Sequence, residues 1–197
     1  VCSEAFLCDV RSPHYNRFDL VWVVHVAMTG NAPNQRPVIC LGLSPVLVAV
    51  ELLGAIAILL AVLLIVKFWA VLPDRIPIHF GLGGLADAWG DKVTIWIMPA
   101  VAAIIFAVLT AVSRYPHTFN YPVRITSENA RRQYLLGRGL LAWLKAEICW
   151  LLAFVVRQQI LVALGHAQRF SVELVLGIIV LIFGTVGVYL LKAYSAR

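Results

Sequence analysis

Charge is what this chain has least of. Asp, Glu, Lys and Arg together make up 13% of its 197 residues, against about 25% in soluble globular chains, and the shortfall is gathered into long apolar blocks. That distribution excludes a water-soluble domain. The four cysteines (Cys2, Cys8, Cys40, Cys149) form neither a CxxC pair nor a disulfide-scaffold spacing, and Cys149 lies inside an apolar run, so redox chemistry is not expected. Catalytic signatures are missing as well. There is no HExxH and no Gly-rich phosphate loop closed by Lys and Ser or Thr. Every Asp lies outside the apolar blocks and no Ser lies deeper than the edge of one, which deprives an intramembrane protease of nucleophile and paired carboxylates. The expectation is a protein that is not an enzyme and uses no cofactor and no metal.

What is present is hydrophobicity, at 61% of residues and a mean hydropathy of +0.88. Crossing a hydrocarbon layer of roughly 30 Å takes about 20 helical residues. Four segments meet that need, at about 46–66, 95–112, 140–164 and 174–191. Helices are the only option, because an open sheet would leave backbone groups unpaired in lipid. The fold class is therefore an all-α integral membrane protein of four transmembrane helices, with a structured extracytoplasmic loop at 67–92. Pro99 should loosen the first turn of the second helix. Gly177 and Gly184 lie two turns apart on one side of the fourth, a small-residue face suited to close helix packing or simply covered by lipid.

The excess of base, a net charge of +6, sets orientation and does not call for nucleic acid. The connection between the second and third spans holds Arg114, Arg124, Arg131, Arg132 and Arg138, whereas the next connection holds only Arg169. Cytoplasmic loops carry the Lys and Arg, so both termini are expected in the cytoplasm and loop 67–92 outside. The 1–43 segment reads as a tail. Its first 27 residues offer one short apolar run and none of the parts of a signal peptide, and the expectation is a start at Met28 or a non-native end. Further on, residues 121–126 read as extended chain, Thr126 as a helix N-cap and Glu128 as favoured by the dipole. One helix from about Ser127 to Ala163 would be roughly 55 Å long.

Ionisable residues within spans are costly and need an account. These are Glu51, Lys145, Glu147 and Arg157. Glu51 and Lys145 each lie about five residues into helices that begin on the same side, roughly 8 Å deep, which makes them a plausible ion pair. The alternative is that Lys145 and Arg157 snorkel to opposite surfaces while the acids pair locally.

Loop 67–92 carries the densest information. Pro73 and Pro77 fix an extended approach, the glycines from Gly81 to Gly84 allow a tight reversal, and Trp89 suits the headgroup region. His79 with Asp74, Asp87 and Asp91 has the chemistry of a divalent-cation site but the spacing of no established metal motif. The other reading is structural: the carboxylates cap turns and pair with Arg75 or Lys92, and His79 bonds to backbone. A histidine is also the side chain whose charge ordinarily changes between pH 5 and 8, with Asp74 and Asp87 the nearest groups to hold it.

The stretch LPDRIPIHFGLGGLADAWGDK resembles the motif of the bacterial membrane family called domain of unknown function 1648. Leu72, Pro73, Asp74, Ile76, Pro77, His79, Phe80, Gly84, Asp87, Trp89, Gly90 and Lys92 stand where that pattern expects them. A second stretch, with Asn120 to Val123, Ile125 to Ala130, Gln133, Tyr134, Lys145 and Glu147, is similar to the later part of small proteins of that family. Ala86, Asp91 and Ser127 depart from the pattern. The resemblance covers most of the chain after Leu43 and implies a location in the bacterial cytoplasmic (inner) membrane. It also implies a distant similarity to the immunity protein of the sporulation-delaying toxin system, a longer membrane protein that protects against a secreted toxin. The functional expectation is sensing or binding, in toxin immunity or envelope signalling, through the loop residues Pro73, Asp74, Pro77, His79, Gly84, Asp87, Trp89 and Lys92. A small transporter, or an accessory subunit of one, is the alternative. The partners expected are the lipid bilayer and a secreted peptide or second membrane protein, with a homo-oligomer as a further option.

Overall fold

The computed structural model describes residues 36–42 and 44–197, so the expectation about a start at Met28 lies outside the described residues. Among the described residues, four helices are long and apolar enough to cross a bilayer. They are α1 (Pro45–Phe68), the span Lys92–Val112 that contains α2 (Ile97–Val112), α3 (Ala130–Ala163) and α4 (Val172–Ser195). The 67–92 loop forms an antiparallel hairpin, β1 (Arg75–Phe80) paired with β2 (Ala86–Asp91). A 3-10 segment, Lys92–Trp96, runs from the hairpin into α2. It follows from Pro99, which has no N–H to give the carbonyl of Ile95, so regular α-helical bonding starts only beyond it. Asp91 caps this segment by accepting from the Val93 N–H at 2.8 Å.

α3 is the hub, with α1, α2 and α4 all packed against it and α1 most extensively. Along α1 the buried positions are Val50, Gly54, Ala57, Ala61 and Ile65. Along α3 they include Ala142, Ala146, Cys149, Ala153, Val156 and Ile160. Both stripes repeat at the alternating three- and four-residue spacing of a coiled-coil seam, and most of their members are small. A Cβ at Gly54 would lie 3.1 Å from the Phe106 ring and 3.4 Å from the Ala146 Cα. In lipid, where Leu is no better buried than exposed, close backbone approach through small side chains is what draws helices together. The larger residues of α1, among them Leu52, Ile56, Leu59 and Leu63, are left on the exposed face.

A polar cross-tie joins three helices near the end of the bundle away from the hairpin. Lys145 of α3 is buried and donates to Glu51 of α1, and to the Thr110 hydroxyl of α2 at 2.7 Å. Its ammonium also lies 4.5 Å from the centroid of the Phe106 ring. Lys145 therefore does not snorkel, because three acceptor surfaces meet its ammonium inside the bundle.

α3 is about 51 Å long at 1.5 Å per residue, and its first turns extend past the start of α1. There Gln133 donates to the carbonyls of Ala193 and Ala196, at 2.8 and 3.1 Å, tying down the end of α4. The helix starts about three residues later than expected, with Asn129 and not Thr126 at its N-cap and Glu128 ahead of its first turn. Regular helix begins at Ala130, after a turn in which Thr126 and Asn129 exchange side-chain-to-backbone bonds. Tyr121 packs over Gly137, and burial raises its phenol well above its ordinary value, with neighbouring tyrosines adding and Arg36 offsetting. It remains a neutral donor to the Pro116 carbonyl at 2.8 Å.

α4 is held differently. Ala193 is its only buried residue. A Cβ at Gly177 or Gly184 would meet nothing within 4 Å, so the small-residue face is not a packing face within this chain. α4 meets α3 through other positions, because Gln133 and the loop after α3 fix its rotation.

Two outcomes test this architecture. Glu51→Gln and Lys145→Gln should each lower the unfolding free energy by about 2–4 kcal/mol, since each strands a charge in a low-dielectric site. The double variant should lose no more than either alone when unfolding is followed by circular dichroism in mixed micelles; strict additivity would dismiss the tie. Gly84→Ala should cost at least about 1–2 kcal/mol, because Gly84 has φ +75° and an added Cβ would collide with the Phe170 carbonyl. Limited proteolysis should then cut between residues 80 and 86, sites the native hairpin protects.

Candidate functional site

The hairpin is clamped to the bundle at several points, each a consequence of a particular residue. On its buried side Ile76 and Pro77 sit against the end of α3, and Ile76 joins an apolar cluster that includes Ile65 of α1. Gln159 of α3 donates to the Pro77 carbonyl at 3.2 Å. At the turn the Gly84 carbonyl accepts from the Phe170 N–H at 2.7 Å. The Phe80 and Phe170 rings then meet at a tilt of 36° with centroids 4.7 Å apart, and Phe154 meets Phe170 edge-on at 6.0 Å. The chain between α3 and α4 is thereby locked to the hairpin, and Gln158 bonds Ser171 at 2.7 Å in the same region.

The base of the hairpin is closed by charge. Lys92 pairs with Asp74 at 3.1 Å, its N–H bonds the Asp74 carbonyl at 2.9 Å, and its ammonium lies 5.5 Å from the centre of the Trp69 ring. Arg75 donates to the Trp89 carbonyl at 2.9 Å. Pro73 precedes this closure on exposed chain, and Trp89 is exposed along β2. The pairing of β1 with β2 is irregular on both sides of His79. Ile78 falls in that bulge, and an added Cβ at Gly90 would lie 2.9 Å from its side chain. The bulge re-aims His79, and its Nδ1 lies 2.5 Å from the Asp87 carboxylate. Both side chains are more than half exposed. Next to them the turn presents Leu82 and Leu85 to the surroundings.

The structure thus joins His79 with Asp87, and Asp74 with Lys92. It does not bring His79, Asp74, Asp87 and Asp91 together, because Asp74 is held at the hairpin base and Asp91 caps the 3-10 segment. Among the described residues no three of His, Cys, Asp and Glu converge as metal ligands would. Of the partners expected for His79, namely backbone, Asp74 and Asp87, it is the Asp87 carboxylate that the bulge places beside the ring.

Of the intramembrane charges, Glu51 and Lys145 form the cross-tie, and Arg157 is exposed on α3 six residues before the helix ends. Glu147 does not pair locally with a base. It faces α4, where it accepts from the Thr185 hydroxyl at 2.5 Å. Two residues apart on a helix means about 200° of rotation, so Lys145 and Glu147 look to opposite sides. The anchoring roles of Gln158, Gln159 and Phe170 are not among the sequence expectations. Adjacent glutamines inside an apolar helix are the signal for them, since buried amides demand partners.

Comparison with known proteins centres on this hairpin. Residues 56–103 match the family model of a domain of unknown function, DUF1648. The chain is similar to an archaeal protein of Archaeoglobus fulgidus described as uncharacterized. The two are 34% identical over 100 residues, which cover 44% of this chain and 54% of the relative. The chain therefore spans about half the length of the curated relative it matches. Being archaeal, that relative lends no support to a bacterial origin, nor to the immunity-protein similarity. No solved structure matches the chain. The matched domain runs from the middle of α1 through the whole hairpin into α2, and so contains the His79–Asp87 pair.

Proposed function

We propose that this multi-pass membrane protein recognises a ligand through its hairpin, as a sensor or immunity component answering a secreted peptide or an envelope signal, and not as a catalyst. One observation carries the reading: a His–carboxylate pair stands exposed on a hairpin that is bonded to the bundle at its base, its strand and its turn. Anchoring of that kind holds a donor and an acceptor in fixed relation before a ligand arrives, which lowers the ordering cost of binding. The adjacent Leu82 and Leu85 supply apolar surface beside the polar pair, the combination that peptide-binding patches use. An exposed pair of this type adds only about 0–1 kcal/mol to stability. Its position is therefore better accounted for by recognition than by folding.

The same reading puts the hairpin outside the bacterial cytoplasmic membrane and both termini in the cytoplasm, because the arginines cluster between α2 and α3. A second reading, a small transporter or its accessory subunit, is favoured by the Glu147 carboxylate facing α4 within the membrane-spanning region.

Two measurements test the proposal. In a background with the native cysteines replaced, Gly83→Cys and His166→Cys should react with a membrane-impermeant maleimide in intact cells, whereas Thr118→Cys and Ser195→Cys should not; the reverse pattern would overturn the orientation. In a deletion strain challenged with membrane-active peptides, the wild-type gene should restore growth. His79→Ala and Asp87→Ala should fail to do so at normal expression and membrane insertion. Full protection by either variant would remove the hairpin pair from the function.

A further inference from the structure

Between α3 and α4 a groove of about 740 Å³ opens on the side of the bundle. It lies outside the hairpin and is independent of the role proposed for it. Its walls are mostly aliphatic, but one face of α3 carries Trp143, Glu147 and Trp150 at successive helical turns, and all three line the groove. Opposite them α4 contributes Thr185 and Tyr189. Thr185 lies about 20 Å from the hairpin end of a helix about 36 Å long, so the carboxylate bonded to it sits near the middle of the span.

Glu147 is 7% exposed. One carboxylate oxygen accepts from Thr185 at 2.5 Å, and the other, Oε2, is buried with no hydrogen-bond partner. Lys145 does not offset this charge, because it is engaged on the opposite side by Glu51 and Thr110. Lys192 lines the same groove, but about 10 Å further along α4. A carboxylate oxygen left without a donor in an apolar site costs several kcal/mol. An aliphatic chain or a lipid tail entering the groove would supply no donor. A cation would, and the indoles of Trp143 and Trp150, both partly exposed one turn either side of Glu147, present the aromatic surface on which organic cations rest.

We propose that this groove is a binding site for a hydrophobic ammonium ion, taken up from the membrane, with its N–H donating to the Glu147 carboxylate, its charge flanked by Trp143 and Trp150, and its apolar part along α3 and α4. Charge complementarity selects this occupant over a second copy of the chain. Among the described residues, α4 exposes Val180, Leu181, Phe183, Gly184 and Val188 at the depth of Glu147, and none of these carries a side-chain donor; its exposed donors, Lys192, Tyr194 and Ser195, lie at its far end.

The test uses the full chain in maltoside micelles, with dodecylammonium as the probe and dodecanol as its uncharged match. Dodecylammonium should quench tryptophan fluorescence saturably and raise the unfolding temperature, and dodecanol should do neither. Glu147→Gln should weaken the ammonium about tenfold or more. Trp150→Leu, which keeps the carboxylate, should weaken it by a smaller factor and serves as the deciding variant if Glu147→Gln cannot be recovered folded. Equal responses to amine and alcohol, or unchanged binding in the deciding variant, would overturn the proposal. So would disulfide-linked dimers through Leu181→Cys in native membranes that form equally well with saturating amine, since a second copy would then fill the groove.

Discussion

Close approach of α1 and α3 through glycine and alanine is the constraint on which the rest of the molecule depends. Gly54, Ala57 and Ala61 on one side meet Ala142, Ala146, Cys149 and Ala153 on the other. In water such a seam would be weak, because small side chains remove little apolar area. In a bilayer the hydrophobic drive between helices is nearly absent, and short interhelical distance with dense contact takes its place. Interhelical hydrogen bonds there average about 0.6 kcal/mol. The amide of Gln133 and the hydroxyl of Thr185 are therefore better seen as setting rotation and depth than as holding the bundle together.

From that seam the position of the hairpin follows. The end of α3 is the platform for Ile76 and Pro77, and Ile65 of α1 belongs to the same apolar cluster as Ile76. The loop between α3 and α4 then folds over the turn, where Gly84 leaves room for the Phe170 carbonyl. A two-stranded hairpin alone is marginal. This one is rigid because one face and its turn are bonded to helices that the seam fixes.

The same packing divides the charges of α3 between two environments. Lys145 points into the triangle of α1, α2 and α3, where Glu51 and Thr110 complete its bonding. Glu147, on the other side, faces the looser α3–α4 junction, where a single hydroxyl meets it. α4 buries little against the bundle, so the groove beside Glu147 stays open. A tightly packed half thus carries the hairpin, and a loosely packed half carries an incompletely bonded carboxylate.

The number of spans was legible in the hydropathy of the sequence, because crossing lipid imposes length and hydropathy on the chain directly, and the length of α3 was legible in the extended chain before it and the lack of a proline within it. The shared depth of Glu51 and Lys145 was legible too, since helical rise converts residue number to depth. Pro73, Pro77 and the Gly81–Gly84 cluster marked a structured reversal, but not that it would pair as strands or that a bulge would turn His79 toward Asp87; those depend on hydrogen bonds between segments. Which face of each helix is buried was decided only by tertiary structure. An apolar helix in lipid is hydrophobic all round, so the hydropathy pattern does not mark its packed side. For that reason Gly54 lies at a contact while Gly177 and Gly184 face open space, although sequence presents all three alike as small residues in an apolar helix.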